Sequence, residues 1–338
     1  MTFLQVLWFI LIFVLMAGYF VLDGFDLGIG TVFPWLAKDD TEKAILRRAV
    51  GPVWDGNEVW LLTCGGALFA AFPAAYAASF SGFYLAIMLV LFGLIVRAVS
   101  FEFHALDEGN GRLWDALFFI GSAVPALLFG VAVGNVVNGV PLDANGDYLG
   151  SFFALLNPFA LVCGLLGLSQ MIAHGLSWAA VKTEGDLRNR AAALRGTFQI
   201  ATIVLFALAG VLYLVLVTPV EGSVGVLRIV FAVVVVVAFV LQFMWGKQGP
   251  TTDLKTFLAS ALTCVGLVGV AAAALFPAII PDANGLYSIT VASAASSQLT
   301  LTAMTIITCI GLPLVLVYHV LIYRSFAGKI TEKDVAAH

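Results

Sequence analysis

Charge is scarce in this chain of 338 residues: only 11% of them are charged, whereas soluble domains carry about a quarter. Hydrophobic residues make up 62%, and the mean hydropathy is +1.05. This composition excludes an ordinary soluble enzyme and predicts a polytopic membrane protein. The formal net charge is only -4. Since there is also no basic tract, nucleic acid is not an expected partner.

Cysteine is also scarce, and its pattern predicts no metal site. The four cysteines form neither a CxxC motif nor a cluster with histidine. All lie inside apolar runs, so we interpret them as buried thiols: Cys64, Cys163, Cys264 and Cys309. A signal peptide is excluded as well, because no small-residue cleavage site follows a short apolar core in the first segment. That segment is predicted to be retained as a span.

Long apolar runs are what the sequence has in place of charge. A helical span needs about 20 mostly apolar residues, and nine stretches qualify. We therefore predict an all-α polytopic membrane protein, with nine transmembrane helices in a single integral membrane domain over residues 1–338. A weak echo between residues 67–73 and 273–277 favours two four-helix bundles plus one peripheral helix. The predicted spans are Leu4–Phe33, Val53–Phe72, Ala78–Phe101, Leu113–Val137, Phe152–Val181, Leu194–Val217, Val224–Trp245, Phe257–Ile280 and Leu299–Tyr323.

The distribution of Lys and Arg predicts the orientation. All of these cations except Arg228 lie in or beside the connections after spans one, three, five and seven, or in the C-terminal tail. Because Lys and Arg accumulate on the cytoplasmic side, we expect the N-terminus outside and the C-terminus in the cytoplasm. Nine spans satisfy this distribution, and eight do not.

Four carboxylates interrupt the first two apolar runs: Asp23, Asp26, Asp55 and Glu58. One charged carboxylate at mid-bilayer costs about 2.5 to 3.5 kcal/mol on insertion scales, so four of them predict a function. Each pair has the i, i+3 spacing that places two side chains on one helix face. Counted from the predicted span ends, all four converge in the cytoplasmic half of the bilayer. Such a group is suited to taking up and releasing protons.

Alternatives to a proton relay remain for parts of this group. Asp55 lies in the first turn of its helix, where a carboxylate is stabilised by the helix dipole. The spacing of Gly24 and Gly28 forms a GxxxG motif, which predicts close approach of another helix beside Asp23 and Asp26. That seam could hold the two acids for packing alone.

Other polar residues in the spans have two interpretations each. Arg97 is either a countercharge for the acids or a side chain that extends to the headgroups. Trp54, beside Asp55, is either an interfacial aromatic or a surface on which a planar ligand stacks. His174 and His319 have no partner at ligand spacing, so we interpret them as buried or proton-handling imidazoles rather than metal ligands.

Six motifs in order along the chain resemble subunit II of the cytochrome bd quinol oxidases, and the resemblance covers essentially the whole chain. The second motif is the most specific. They are GFDLGIG, VWDGNEVWLLTCGGALFAAFP, SGFYLAIMLVLFGLIVRAVSFEF, GSAVPALLFGVAVGN, LLNPFALVCGLLGL and SSQLTLTAMT.

The resemblance implies a partner and a role. Subunit II pairs with a homologous nine-span subunit I, which binds haem b and haem d, oxidises quinol and reduces dioxygen to water in a bacterial or archaeal cytoplasmic membrane. Subunit II supplies no haem ligand; it stabilises its partner and carries part of a proton path from the cytoplasm. A small single-span subunit is common in the family.

The residue roles follow from the same resemblance. Asp55 maps onto the proton path as the main carrier, and Asp26, Asp23 and Glu58 are expected as relay or supporting groups. Arg97 is expected to hold the charge balance. Trp54 corresponds to a position where some members hold a structural quinone.

Two functions from other classes remain open at this point. One is a proton-coupled secondary transporter whose buried acids bind a cation. Against it, transporter sites lie near the midplane on broken helices, whereas these acids are predicted nearer one side. The other is a purely structural assembly subunit, in which static pairs satisfy every acid.

Overall fold

Long helices dominate the computed structural model, which describes residues 1–104 and 108–335. Within these residues, eight helices are long and apolar enough to cross a membrane. They are α1 (Phe3–Leu36), α5 (Tyr84–Phe103), α6 (Gly111–Asn138), α7 (Pro158–Lys182), α8 (Gly185–Leu216), α9 (Gly225–Gly246), α10 (Asp253–Leu275) and α12 (Gln298–Ser325). The shorter helices are α2 (Asp40–Val50), α3 (Trp54–Ala71), α4 (Pro73–Gly82), α11 (Val291–Ala294) and α13 (Glu332–Val335). The protein is therefore a mainly helical membrane protein.

Each predicted span overlaps a helix, but five of them differ from it. The helix over the sixth span begins at Gly185 rather than Leu194, and the one over the eighth span ends at Leu275 rather than Ile280. The second predicted span corresponds to α3, which is 18 residues long and opens with a polar turn, so it is not among the eight. The third prediction runs across the junction of α4 and α5 at Phe83. The fifth began too early, because Pro158 starts α7 after a short 3-10 turn. Pro is favoured in the first helical turn, where its missing N–H leaves no hydrogen bond unmade.

One short hairpin follows α10 in this otherwise helical fold. That helix stops at Leu275, and strand β1 (Ala278–Ile280) pairs antiparallel with β2 (Ile289–Thr290). Pro277 cannot continue the helix, because it has no N–H to donate.

The turn between the two strands is fixed by Asp282. Its carboxylate accepts hydrogen bonds from the backbone N–H groups of Leu142, Leu286 and Tyr287 at 3.0, 2.9 and 3.3 Å. Burial raises the pKa of Asp282, but these hydrogen bonds outweigh burial and leave the pKa below its usual value. The turn is therefore built for a charged carboxylate.

Helix α1 lies at the centre and packs against α3, α6, α7 and α10. The predicted GxxxG motif of α1 faces α7, but its two glycines differ in how closely α7 approaches them. A Cβ atom on Gly28 would lie 1.9 Å from the carbonyl oxygen of Met171 on α7, whereas one on Gly24 would come no closer than 3.8 Å to a side chain. Of the two glycines in this motif, only Gly28 is therefore required for the close approach of α1 and α7.

The remaining long helices surround this centre. α5 packs on α6, α6 and α8 pack on α7, and α9 packs on α10. α12 touches α1 and α3 and buries only Leu301. The Lys and Arg side chains lie mainly where α1, α5, α7, α9 and α12 end, and we name this the basic end of the bundle.

Candidate functional site: a charged cluster between three helices

The centre of the site is a buried ion pair between α1 and α5. One guanidinium nitrogen of Arg97 lies 2.8 Å from a carboxylate oxygen of Asp23, and both side chains are almost completely buried. The side chain of Arg97 is therefore directed at Asp23 inside the bundle, and its role as a countercharge stays a prediction.

Glu58 is the second carboxylate beside Arg97. It approaches the guanidinium from α3 at 3.7 Å, and its side chain is 21% exposed. One cation therefore faces two carboxylates contributed by two helices. Asp23 is fully buried, whereas Glu58 is partly exposed at the surface of this chain.

Asp26 is held by an amide that the sequence analysis did not single out. Nδ2 of Asn57 donates to a carboxylate oxygen of Asp26 at 2.7 Å and to the carbonyl oxygen of Leu22 at 3.1 Å. Oδ1 of Asn57 accepts the hydroxyl of Tyr323 at 2.9 Å. The buried Asn57 therefore links α1, α3 and α12. The position of Asn57 within the WDGNEVW motif is a sequence signal for its role. Tyr323 is 266 residues away and lies in no such motif, so the sequence does not indicate its contact with Asn57.

Asp55 lies apart from the buried acids. Its side chain is exposed on the outer face of α3, whereas Asp23 and Asp26 are buried. While the placement of all four acids in the cytoplasmic half of the bilayer stays a prediction, the side chain of Asp55 does not join the buried cluster. The reason is the helix period: residues two apart point about 200° apart on a helix of 3.6 residues per turn. With Asn57 directed at α1, Asp55 points away from it.

Trp54 lies in the wall between the cluster and the basic end. Its ring centroid is 5.8 Å from that of Phe101. A cavity of about 10 Å³, bordered by Trp54, Asp26 and Arg97, has room for roughly one water molecule. A second cavity of about 420 Å³ opens on the other side of Phe101 and is bordered by Tyr323 and Lys182.

The two intramembrane histidines have both ring nitrogens engaged. His174 lies 3.0 Å from the hydroxyl of Ser260 through Nδ1 and 2.9 Å from the carbonyl of Val21 through Nε2. Nε2 of His319 accepts the indole N–H of Trp60 at 3.2 Å, and its Nδ1 lies 2.9 Å from the carbonyl oxygen four residues earlier. Neither imidazole fits the axial position of a haem without losing these contacts.

In the part of the chain that the structure describes, the side chains that could bind a metal ion are dispersed, and the cysteines differ in burial. Among the described residues, no group of three or more His, Cys, Asp or Glu side chains is placed to hold a metal ion. Cys64 and Cys264 are buried, as predicted, whereas Cys163 is half-buried and Cys309 is exposed. The prediction of a buried thiol is therefore wrong for Cys309, because α12 turns most of its surface outward.

A second polar layer crosses the other side of the bundle, and sequence reasoning missed it. Arg188 binds the carboxylate of Asp253 through two nitrogens at 2.8 and 2.9 Å. Deeper in, Gln199 donates to Gln242 at 2.9 Å, which donates to Thr263 at 2.7 Å. These contacts join α8, α9 and α10. Their members are spread over 76 residues, so no local motif reveals them.

The fold and the cluster together define a class: a multi-pass membrane protein with a buried Asp–Arg pair. The family model "Cytochrome bd terminal oxidase subunit II" matches residues 4–326. "Probable cytochrome oxidase subunit 2" of Haemophilus influenzae is 38% identical over 97% of this chain and 95% of its own. "Cytochrome bd-I ubiquinol oxidase subunit 2" of Escherichia coli is 35% identical over 98% and 96%. The chain belongs to the family of cytochrome bd terminal oxidase subunit II.

A solved structure supports the fold alone. The bd oxidase from Geobacillus thermodenitrificans superposes with a TM-score of 0.78 at 16% identity, over 96% of this chain and 99% of that one. Family membership makes this chain a subunit of a haem-carrying respiratory oxidase complex in the membrane, with a subunit I as its partner. The transporter alternative is thereby set aside.

Proposed function

We propose that this chain completes a quinol:oxygen oxidoreductase by carrying protons from the basic end towards the haem-bearing subunit I. Asp55 is the main carrier, and Asp26, Asp23 and Glu58 form the relay or supporting group behind it. Arg97 holds the charge balance. One observation carries this proposal: a single buried cation pairs with two acids from different helices. One of these acids is buried, and the other is partly exposed.

The electrostatics of the cluster support transfer through Glu58. Arg97 carries one positive charge and faces the two negative charges of Asp23 and Glu58. A proton that arrives therefore makes this group of three neutral rather than positively charged. Transfer of an uncompensated charge into a low-dielectric region would cost far more. Because Glu58 is partly exposed and one helical turn from Asp55, a proton can pass between them over a short path. Asn57 holds Asp26 in position but does not titrate.

The exposure of Asp55 supports contact with subunit I at this face of α3. A carboxylate facing hydrocarbon is costly, but one facing a polar group or water of a partner is not. Val59 and Leu62 extend the same exposed side along α3. We therefore assign this side to subunit I rather than to lipid.

The topology proposed with this function has nine spans. They are the eight long apolar helices and, in addition, α3. Its polar first turn lies at the basic end, and the remaining turns are apolar. The basic end faces the cytoplasm, because Lys and Arg accumulate there. The N-terminus is then outside and the C-terminus inside. The nine helices group as α1, α3, α5 and α6, then α7 to α10, with α12 peripheral, in one integral domain of residues 1–338.

The haems, haem b and haem d, are assigned to subunit I. The engaged nitrogens of His174 and His319 support this division, since neither imidazole fits a haem. Quinol is the substrate, as the name of the Escherichia coli relative indicates for that protein. A structural quinone at Trp54 remains a proposal with little support, because the cavity beside this ring holds no more than about one water. An additional single-span subunit is part of the same proposal.

The test compares Asp55→Asn with Asp186→Asn in the complete complex. Asp186 is a matched control, because it is an exposed acid in the first turn of α8, as Asp55 is in the first turn of α3. We expect Asp55→Asn to lower oxygen consumption at least tenfold with unchanged haem content, while Asp186→Asn keeps the wild-type rate. A positioned proton-transfer group contributes typically a hundredfold or more, which sets this scale.

The structural assembly role is the competing function, and the hydrogen-bonded state of Asp26 favours it. If Asp55→Asn and Glu58→Gln both assemble with full haem content and respire at the wild-type rate, the relay is refuted. If both lose haem in proportion to activity, the acids serve assembly.

A further inference from the structure

A long apolar cavity lies on the side of the bundle away from the charged cluster. It has a volume of about 830 Å³ and runs between α1, α6, α7, α8, α9 and α10. Its walls are almost entirely apolar, as in sites for hydrophobic ligands, which hold only a few polar groups. None of the acids of the charged cluster borders it.

The length of the cavity matches one leaflet of a bilayer. Its lining extends on α7 from Phe159 to Met171 and on α10 from Cys264 to Ala274. At 1.5 Å per residue these stretches are about 18 and 15 Å long. Half of a hydrocarbon core of about 30 Å is about 15 Å. The cavity therefore begins at the end opposite the basic end and stops near the middle of the membrane.

The mouth of the cavity carries an isolated cation, Arg228. It is the one Lys or Arg of the chain that lies away from the basic end. Its guanidinium donates to the hydroxyl of Tyr213 and lies 5.6 Å from the centre of that ring. Among the described residues, Tyr213 is its one hydrogen-bond partner, so the other guanidinium N–H groups are available. A planar guanidinium binds phosphate through paired hydrogen bonds.

The cavity is open sideways between α8 and α9. α9 packs mainly on α10 and barely touches α8. On α8, Gly210 is exposed on this side, and a Cβ atom added to it would meet nothing within 4 Å. A chain in the bilayer can therefore enter laterally without any helix moving.

We infer that this cavity holds one anionic phospholipid, with its phosphate on Arg228 and an acyl chain extending inward along α7 and α10. The single cation at the mouth selects the anionic headgroup, and the leaflet-long apolar walls select the chain. The site is independent of proton transfer, so it stands or falls separately from the proposed function.

The competing occupant is a quinol, because the inner end of the cavity is bordered by Gln170. This side chain is 3% exposed, and its Oε1 has no hydrogen-bond partner among the described residues. A hydroxyl on a quinol ring could donate to that oxygen. We favour the phospholipid, since the ring would leave Arg228 without an anion.

The experiment uses the complete complex, washed in detergent and then incubated with phosphatidylglycerol or, as a zwitterionic comparison, phosphatidylcholine. Native mass spectrometry counts the lipid that remains. Gly210→Leu fills the lateral opening. Gly196→Leu is its control, because Gly196 is on the same helix with equally open surroundings but does not border the cavity. If Gly210→Leu does not assemble, Ala207→Phe replaces it, since Ala207 also borders the cavity.

We expect the wild type and Gly196→Leu to retain one phosphatidylglycerol per complex, and Gly210→Leu to lose it. Arg228→Gln should reduce the preference for phosphatidylglycerol over phosphatidylcholine about tenfold, the scale of a charge-assisted hydrogen bond. Equal retention by Gly210→Leu and Gly196→Leu would overturn the assignment. So would a quinone that Gly210→Leu alone displaces while the phospholipid count stays the same.

Discussion

Removing Arg97 alone should destabilise the protein more than removing Arg97 and Asp23 together. Two unit charges 2.8 Å apart attract by about 6 kcal/mol at an effective dielectric constant of 20, and at 3.7 Å by about 4.5 kcal/mol. Desolvation offsets much of this attraction. Deleting one partner of a buried pair nevertheless costs about 3 to 5 kcal/mol, because the other charge is left buried without compensation.

The double variant Asp23→Asn/Arg97→Gln leaves no buried charge of this pair. Of the three ion-paired side chains only Glu58 keeps its charge, and it is partly exposed. The buried Asp26 keeps its hydrogen bond from Asn57. We therefore expect the double variant to cost less than about 2 kcal/mol. If each single variant costs at least about 3 kcal/mol, the coupling energy is at least about 4 kcal/mol, above the usual range of about 0.5 to 3 kcal/mol for neighbouring residues. At roughly 2 °C per kcal/mol for a chain of this size, Arg97→Gln lowers Tm by about 6 to 10 °C and the double variant by less than about 4 °C.

The assay is thermal unfolding of the purified complex, followed by haem absorbance and intrinsic fluorescence, for wild type, both single variants and the double variant. The exposed Arg112, replaced by Gln, controls for the loss of a cation. A double variant that melts as low as Arg97→Gln would refute the reasoning, since the cost would then not come from the uncompensated carboxylate.

Three further predictions concern packing, pH and the link to α12. Gly28→Ala should lower the free energy of unfolding by more than about 3 kcal/mol or prevent assembly, because its Cβ atom would meet the backbone of Met171. The control Gly24→Ala should stay within about 1 kcal/mol of the wild type in thermal unfolding. Asp282→Asn should cost about 1.5 to 3 kcal/mol at neutral pH. The folded pKa of Asp282 lies below its unfolded value of about 3.9. Its contribution to the free energy of unfolding is therefore present above a pH of about 3.9 and is lost as the pH falls through the folded pKa. Thermal unfolding at a series of pH values should show this acid-dependent loss of stability in the wild type but not in Asp282→Asn. Tyr323→Phe should lower stability by only about 1 kcal/mol, since it removes one hydrogen bond to α3; a larger loss in the same melts would mean that Tyr323 does more than anchor α12.

The buried pair was within reach of sequence reasoning because both charges interrupt apolar runs. A carboxylate such as Asp23 inside a span requires a partner, and Arg97 is one of the few cations inside any span. What the sequence leaves open is the rotation of each helix about its own axis. On α3, either Asp55 or Asn57 can face α1, but not both, and charge alone favoured the carboxylate.

Long-range partners explain the remaining differences. Nothing near Tyr323 predicts its bond to Asn57, and the turn around Asp282 binds the N–H of Leu142, which is 140 residues away. Such contacts depend on how helices are arranged in space, whereas spans and turns depend on local composition. The helix bounds at α7 and α10 fall between these cases: Pro158 and Pro277 are local signals, but apolar residues continue on both sides of each proline and hide the end of the helix.

The central position of α1 has a consequence for biosynthesis. This helix leaves the ribosome before α5, so its buried Asp23 and Asp26 lack the cation Arg97 until it follows about 70 residues later. At 5 to 20 residues per second the delay is roughly 4 to 15 seconds. During that interval the insertion machinery, rather than the finished bundle, must keep both carboxylates away from hydrocarbon. A stalled ribosome between α1 and α5 would thus leave a membrane segment that is poorly retained and readily degraded.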